Sequence, residues 1–175
     1  MSDHRSSHTD DQRLRPKKQL GQHFLHDARI VDRIVDLVQA QQGEPVVEIG
    51  PGEGVLTERL MTRGVQLTAL EVDPDAIAYL RERFKSVANF GVLDKSVLDH
   101  ALHEQVEVVG NLPYNISSQI MFWLMDQQTH VSRATVMVQH EVGARLAAEP
   151  GSKTYGILSV LLPFYYDVQY QFKVA

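Results

Sequence analysis

Hydrophobic positions along the chain follow two alternating spacings, which predict strands that alternate with helices. Short apolar runs bounded by turn residues indicate buried strands, and apolar residues at every third or fourth position indicate helices that cover them. The predicted strands span residues 45–49, 66–72, 87–93, 106–109, 134–138 and 168–174. The first predicted helix is capped by Asp27 and ends by Gly43. The other predicted helices span residues 56–63, 74–84, 117–125, 142–148 and 156–162. Helical crossovers between strands predict an α/β fold with a mostly parallel sheet and helices on both faces.

The polar N-terminal residues show no such periodicity, so we expect a disordered leader over residues 1–16 and one folded domain over residues 17–175. A basic run lies where the two meet, from Arg13 to Lys18. This run either contacts phosphates or forms a solvated tail. The chain has no cysteine, which excludes disulfides and cysteine-ligated zinc and favours a cytoplasmic protein.

Charge and hydropathy restrict the partners. No apolar run is long enough to cross a membrane, and the N-terminus has no signal-peptide core. The net charge of −5 argues against a strongly basic nucleic-acid surface, so any RNA contact is expected to depend on local features. His100 and His103 have helical spacing but lack the other ligands of a metal site, so no metal is predicted.

A glycine-rich turn follows the first predicted strand. Gly50 and Gly52 open a G-x-G-x-G sequence rather than the G-x-G-x-x-G that holds a dinucleotide pyrophosphate, which favours a nucleoside ligand without phosphates. Glu71 ends the second strand, where it can accept hydrogen bonds from both ribose hydroxyls, and Asp94 ends the third, where it can accept one from an adenine amino group. Alternatively, the glycines form only a tight loop. The acidic residues at successive strand ends, Glu48 included, favour the binding site.

The fourth predicted strand runs into Gly-Asn-Leu-Pro-Tyr-Asn. The amide oxygen of Asn111 and the backbone carbonyl of Leu112 can accept the two N–H groups of an exocyclic adenine nitrogen, which directs its lone pair towards an activated methyl group. Pro113 stiffens the loop, and Tyr114 offers a flat face for an extruded base. The alternative is a helix-capping loop with a packed tyrosine.

These motifs together resemble the ribosomal RNA adenine dimethyltransferase family, and the likeness runs from about Lys17 to the end of the chain. The segments that carry it are Gln-Leu-Gly-Gln-His-Phe-Leu at 19–25, Gly-Asn-Leu-Pro-Tyr-Asn-Ile-Ser at 110–117, Val-Gln-His-Glu-Val at 138–142, and 152–160. The resemblance implies a Rossmann-like class I fold and S-adenosylmethionine as cofactor. It also implies dimethylation of adenine N6 in the 3′-terminal hairpin of small-subunit ribosomal RNA. The cofactor contacts it implies are His23, Leu25, Gly50, Gly52, Glu71, Asp94 and Asn111.

The sequence departs from the family in two places. His23 stands where many members have asparagine. The family also continues beyond this sequence with a last strand and a small helical RNA-binding domain. We therefore expect a monomer whose sixth strand lacks its partner, leaving an exposed sheet edge that can pair between chains.

Three other functions stay open at this point. Large-subunit, antibiotic-resistance relatives tend to have isoleucine where this chain has Leu112. Methyltransferases acting on protein glutamine or DNA adenine typically carry Asn-Pro-Pro-Tyr. A non-catalytic ribosome-assembly factor on the same scaffold would bind small subunits without methylating them.

Overall fold

The computed structural model describes Leu25, residues 27–153 and residues 155–174. In this part of the chain one sheet contains five strands in the order β3-β2-β1-β4-β5, and every neighbouring pair is parallel. The strands are β1 (Pro45–Ile49), β2 (Gln66–Glu71), β3 (Phe90–Asp94), β4 (Val106–Asn111) and β5 (Val131–Met137). The predicted parallel α/β architecture is confirmed.

Helices connect these strands and cover both faces of the sheet. They are α1 (Ala28–Val35), α2 (Val55–Thr62), α3 (Pro74–Arg83), α4 (Ser117–Asp126), α5 (His140–Leu146) and α6 (Ile157–Leu161), with 3₁₀ turns at Val97–Asp99 and Leu162–Phe164. Asp27 caps α1 as predicted, because its side chain accepts a hydrogen bond from the Arg29 backbone N–H. No helix within the described residues is long and apolar enough to cross a membrane.

Alternate residues of the central strands enter two separate cores, as the period-two geometry of a strand requires. Val46 and Val109 pack with α1 and α2, whereas Val47 and Val108 pack with α4. We call these the α1-side core and the α4-side core. Both faces are apolar, which explains why the strands appear in the sequence as continuous hydrophobic runs.

The predicted sixth strand is wrong. Among the described residues, no backbone hydrogen bond joins residues 168–174 to the outer edge of β5. Val168 packs against the α4-side core, and Phe172 packs against the α1-side core with the Arg33 guanidinium 3.7 Å from its ring centre. The alternation therefore marks side chains that face the protein, but a strand also needs a neighbouring backbone about 4.8 Å away. The free edge at this side of the described sheet belongs to β5.

Three predicted boundaries also move by three residues or more. The first helix ends at Val35 rather than near Gly43, although Val38 is still buried. β3 begins at Phe90, because a turn bonds the N–H of Val87 to the carbonyl of Phe84, and β5 begins earlier than predicted, at Val131. In each case a local turn or a neighbouring strand sets the limit.

Candidate functional site

The turn between β1 and α2 requires glycine. Gly50, Gly52 and Gly54 have φ angles of 64°, 56° and 76°, in the left-handed region that other residues adopt only with strain. Gly54 also lacks room for a side chain, because an added Cβ would lie 2.8 Å from Leu80 and 2.9 Å from Phe84. The turn therefore keeps its backbone open at the carboxyl edge of the sheet.

This turn lies against the loop that follows β4. A Cβ on Gly50 would lie 3.7 Å from the backbone oxygen of Asn111 and 3.8 Å from Cδ of Pro113. The close approach arises because β1 and β4 are parallel neighbours, with Ile49 opposite Gly110. The structure thus brings together the two loops that the sequence assigned to cofactor and target base.

Glu71 is held beside the turn by backbone N–H groups. Its side chain is only 6% exposed, and Oε1 accepts from the N–H of Val72 at 2.8 Å and of Asp73 at 3.0 Å. Oε2 accepts a longer hydrogen bond, 3.3 Å, from the N–H of Gly52. A carboxylate accepts about four hydrogen bonds, so capacity for a ligand hydroxyl lies mainly on Oε2.

Asp94 lies at the same edge, opposite Glu71 in the pairing of β2 with β3. Its side chain is exposed, unlike that of Glu71. The predicted placement at a strand end is confirmed, and the contact with an adenine amino group stays a prediction.

The Asn-Leu-Pro-Tyr loop is anchored by its leucine. The Leu112 side chain is 1% exposed, and its backbone N–H donates to the carbonyl of Met137 at 3.0 Å. Asn111, Pro113 and Tyr114 are partly exposed around it. The Ser117 hydroxyl donates to the Tyr114 carbonyl at 3.3 Å, which joins the loop to the first turn of α4. The buried leucine fixes the backbone on which the polar groups stand.

Glu48 is a buried acidic residue. The sequence pattern predicted only that it lies near the end of a strand. Its side chain is 1% exposed, and it accepts a hydrogen bond of 2.6 Å from the Thr57 hydroxyl. Burial raises the pKa of Glu48 to about 7; the Thr57 hydrogen bond opposes that rise and the charge of Glu71 adds to it. In the sequence, the only indication of this burial was an acidic residue inside an apolar strand, because such a strand is rarely in contact with water.

The two cofactor contacts predicted near the N-terminus have different outcomes. Leu25 is partly buried and packs against the α1-side core, so its cofactor contact stays a prediction. His23 lies outside the described residues.

The glycine turn and the buried Glu71 fit a nucleoside ligand. The turn lets a ligand approach the main chain closely, and Glu71 can receive a ribose hydroxyl. The parallel sheet with helices on both faces is that of a Rossmann-like class I methyltransferase fold.

Comparison with known proteins supports this interpretation. Residues 13–174 match the model of the family described as ribosomal RNA adenine dimethylase. The chain is 47% identical over 165 residues to ribosomal RNA small subunit methyltransferase A of Parabacteroides distasonis, covering 93% of this chain and 62% of that protein. The protein of the same name from Leptothrix cholodnii is 46% identical and is covered over 58% of its length. The chain thus spans about three fifths of these relatives.

Two solved structures share the fold. A dimethyladenosine transferase from Plasmodium falciparum superposes with a TM-score of 0.72 and 26% identity over 79% of this chain and 51% of that one. The 23S rRNA methyltransferase ErmE gives a TM-score of 0.64 and 32% identity over 70% of this chain and 50% of that one. S-adenosylmethionine is the cofactor of this class of fold. From the family match and the identity to its relatives, the chain belongs to the ribosomal RNA adenine dimethylase family.

Proposed function

We propose that this chain is the catalytic part of an enzyme that dimethylates adenine N6 in the 3′-terminal hairpin of small-subunit ribosomal RNA during ribosome maturation. The observation that carries the proposal is the approach of the Gly50 turn to Asn111 and Pro113, which sets a cofactor loop against a target-base loop. The 47% identity to a protein named ribosomal RNA small subunit methyltransferase A favours the small-subunit substrate over the large-subunit one.

The cofactor would be held along the carboxyl edge of β1, β2 and β3. Gly50 and Gly52 admit it to the main chain, Oε2 of Glu71 receives a ribose hydroxyl, and Asp94 receives the adenine amino group. His23 and Leu25 would cover it from the N-terminal side. When bound, S-adenosylmethionine supplies a methyl group already activated on a sulfonium.

The residues after β4 would orient the target adenine. Oδ1 of Asn111 is a buried acceptor, and the Leu112 carbonyl stands on a backbone fixed by a buried side chain. These two oxygens would accept the two N–H groups of the adenine N6, so that its lone pair faces the cofactor. Tyr114, partly exposed, would stack on the extruded base. Positioning then supplies most of the rate.

The proposed partner is the small ribosomal subunit or its RNA, and the proposed location is the cytoplasm. With a net charge of −5, the chain's attraction to RNA is local, so the salt dependence of its binding is expected to scale with the few phosphates that it contacts. A steep salt dependence would instead support strong independent RNA binding, as the assembly-factor alternative requires.

The catalytic proposal is tested by methyl transfer from labelled S-adenosylmethionine to unmethylated small ribosomal subunits. We expect N6-dimethyladenine with the unaltered chain, and a loss of about 100-fold or more in Asn111→Ala, the scale of removing one preorganised hydrogen-bonding group. Gln128→Ala, which truncates an exposed amide outside the site, is the matched control. Unmethylated large subunits are assayed in parallel, and product found only on large-subunit RNA would contradict the assignment of substrate. Binding to subunits that Asn111→Ala leaves unchanged, with no methyl incorporated, would identify an assembly factor.

The cofactor site is tested separately by titration with S-adenosylmethionine. Glu71→Ala should raise the dissociation constant about tenfold or more, because a hydrogen bond to a charged group contributes about 1.5–3 kcal/mol. Glu104→Ala, which removes an exposed carboxylate, should bind as the unaltered chain does. A folded Glu71→Ala variant with unchanged affinity would show that the ribose does not lie on Glu71.

A further inference from the structure

Glu48 is a buried carboxyl group with no role in the proposed binding or catalysis. It lies one residue before the end of β1, directly ahead of the glycine turn. Its side chain is 1% exposed and accepts a hydrogen bond from the Thr57 hydroxyl at 2.6 Å. Acidic side chains are rarely so buried unless a cation pairs with them. The ion pairs formed by the described residues involve other carboxylates.

Within the part of the chain that the structure describes, the elements around Glu48 bring it no positive charge. On either side in the sheet it faces Ala69 of β2 and Val109 of β4, which are uncharged. Glu71, at the end of β2, is the nearby ionisable group, and its charge opposes ionisation of Glu48.

Two more charged groups lie near the α1-side core, and both already form hydrogen bonds with the backbone. Glu107 lies two residues before Val109 on β4, and its carboxylate accepts the N–H groups of Gln39 and Ala40. The Arg63 guanidinium donates to backbone carbonyls at the end of α1. Among the described residues, the interactions of Glu48 are therefore the Thr57 hydrogen bond and the repulsion by Glu71.

Glu48 changes between its protonated and its ionised form near neutral pH. Burial raises its pKa to about 7, with Glu71 adding to the rise and the Thr57 hydrogen bond reducing it. A positive charge placed at the adjoining turn would favour the ionised form, and a neutral group there would not. The cofactor carries a cationic sulfonium, whereas its product, S-adenosylhomocysteine, has an uncharged sulfur in the same position.

We propose that Glu48 distinguishes the cofactor from its product by charge. Binding of S-adenosylmethionine releases the Glu48 proton to solvent, and binding of S-adenosylhomocysteine leaves that proton on the carboxyl. The inference rests on the proposed cofactor site beside Gly50, Gly52 and Glu71. Its consequence is that the protein prefers cofactor to product more strongly as the pH rises through neutrality, which relieves product inhibition.

The experiment is calorimetric titration of the chain with each ligand between about pH 6 and pH 8, in pairs of buffers that differ in ionisation heat. A carboxyl group with a pKa near 7 that ionises on binding makes the affinity for S-adenosylmethionine rise about tenfold over this range, with proton release to the buffer. The affinity for S-adenosylhomocysteine should change by less than about twofold. Glu48→Gln should abolish the rise, whereas Glu104→Gln, an exposed carboxyl, should keep it.

The comparison with Glu48→Gln separates Glu48 from the amino group of the ligand and from the histidines, which are present in both experiments. Should Glu48→Gln not fold, Thr57→Val is the second variant. It removes the hydroxyl that stabilises the carboxylate, so the midpoint of the pH dependence should move to higher pH.

Three results would overturn the inference. They are a flat affinity for S-adenosylmethionine, equal proton release with both ligands, and a pH dependence that persists unchanged in Glu48→Gln. Cofactor that binds with a flat profile overturns this inference alone. No binding at any pH overturns the proposed cofactor site as well.

Discussion

Three buried glutamates on the central strands have carboxyl groups that accept hydrogen bonds from different kinds of donor. Glu71 accepts three backbone N–H groups and Glu107 accepts two, so both carboxylates replace lost water with fixed donors. The Glu48 carboxyl accepts a side-chain hydroxyl from Thr57 and lies near the charge of Glu71. At the scale of single residues, burial raises the pKa of Glu48 to about 7, so this carboxyl is sensitive to pH near neutrality.

The ligand-free protein should lose stability with rising pH because of Glu48. Its pKa rises from 4.5 to about 7 on folding, so the folded state holds the proton more tightly than the unfolded state. The associated stability is full below about pH 4.5 and lost as the pH passes 7, a change of about 2–3 kcal/mol between pH 5 and 8. In urea unfolding, the stability of Glu48→Gln relative to the unaltered chain should therefore increase by this amount between pH 5 and pH 8. Equal slopes in the two proteins would contradict the assignment.

Gly110 should be the least replaceable glycine of the sheet. An added Cβ would lie 2.6 Å from the Ile49 carbonyl oxygen, a rigid backbone atom of the neighbouring strand. Gly110→Ala should therefore lower the free energy of unfolding by about 3 kcal/mol. Gly91→Ala in β3, where a Cβ meets nothing within 4 Å, should change it by less than about 1 kcal/mol. Similar losses in both variants would show that the contact with Ile49 relaxes freely.

At the scale of elements, the end of α1 is fastened by two other elements. The Arg63 guanidinium, at the end of α2, donates to the carbonyls of Val35 and Val38 at 2.6 and 2.8 Å. The Glu107 carboxylate of β4 accepts from the N–H of Gln39 at 2.9 Å and of Ala40 at 2.7 Å. The Arg63 bonds satisfy carbonyls at and just after the C-terminal end of α1, where a helix leaves such groups unpaired. Glu107 holds the N–H groups of the segment that follows, so the two side chains together fix how the chain leaves α1.

Glu107→Ala should loosen α1 selectively. It leaves the Ala40 N–H buried without its carboxylate, which costs about 2–3 kcal/mol. Hydrogen exchange of the α1 amides should quicken, while that of the α4 amides changes only as far as global stability does. Glu44→Ala, which removes an exposed carboxylate that accepts the Gln41 N–H, is the matched control and should have a small effect. Uniform acceleration throughout the chain would mean that α1 unfolds only with the whole domain.

At the scale of the whole molecule, apolar side chains are exposed around α6 and the turn that follows it. Phe164 is 78% exposed, Ile157 63% and Tyr165 51%. β5 also presents a free edge within the described sheet. An apolar cluster and an unpaired strand edge both favour contact with another polypeptide.

We expect the isolated chain to self-associate through this apolar surface at high concentration. The double substitution Ile157→Ser with Phe164→Ser should lower the weight-average mass in sedimentation equilibrium towards that of a monomer. Phe122→Ser removes a comparably apolar side chain, 42% exposed, from α4 and should not do so. Association unaffected by the double substitution would point to the β5 edge instead.

The sequence determined the features that depend on local order. Alternating apolar runs fixed five of the strands, and parallel topology then placed Gly50, Glu71, Asp94 and Asn111 at one edge of the sheet, because parallel strands all end on the same side. The tight turn after β1 was also predicted from its glycines, and the structure shows that they adopt left-handed φ angles.

Tertiary structure decided what depends on partners distant in the chain. Residues 168–174 alternate like a strand, yet strand formation needs a neighbouring backbone, and periodicity carries no information about that. The end of α1 depends on Arg63 and Glu107, which lie 25 and 67 residues from the groups they bond. The environment of Glu48 likewise exists only once α2 brings Thr57 against β1, because burial and pairing are properties of the packed molecule.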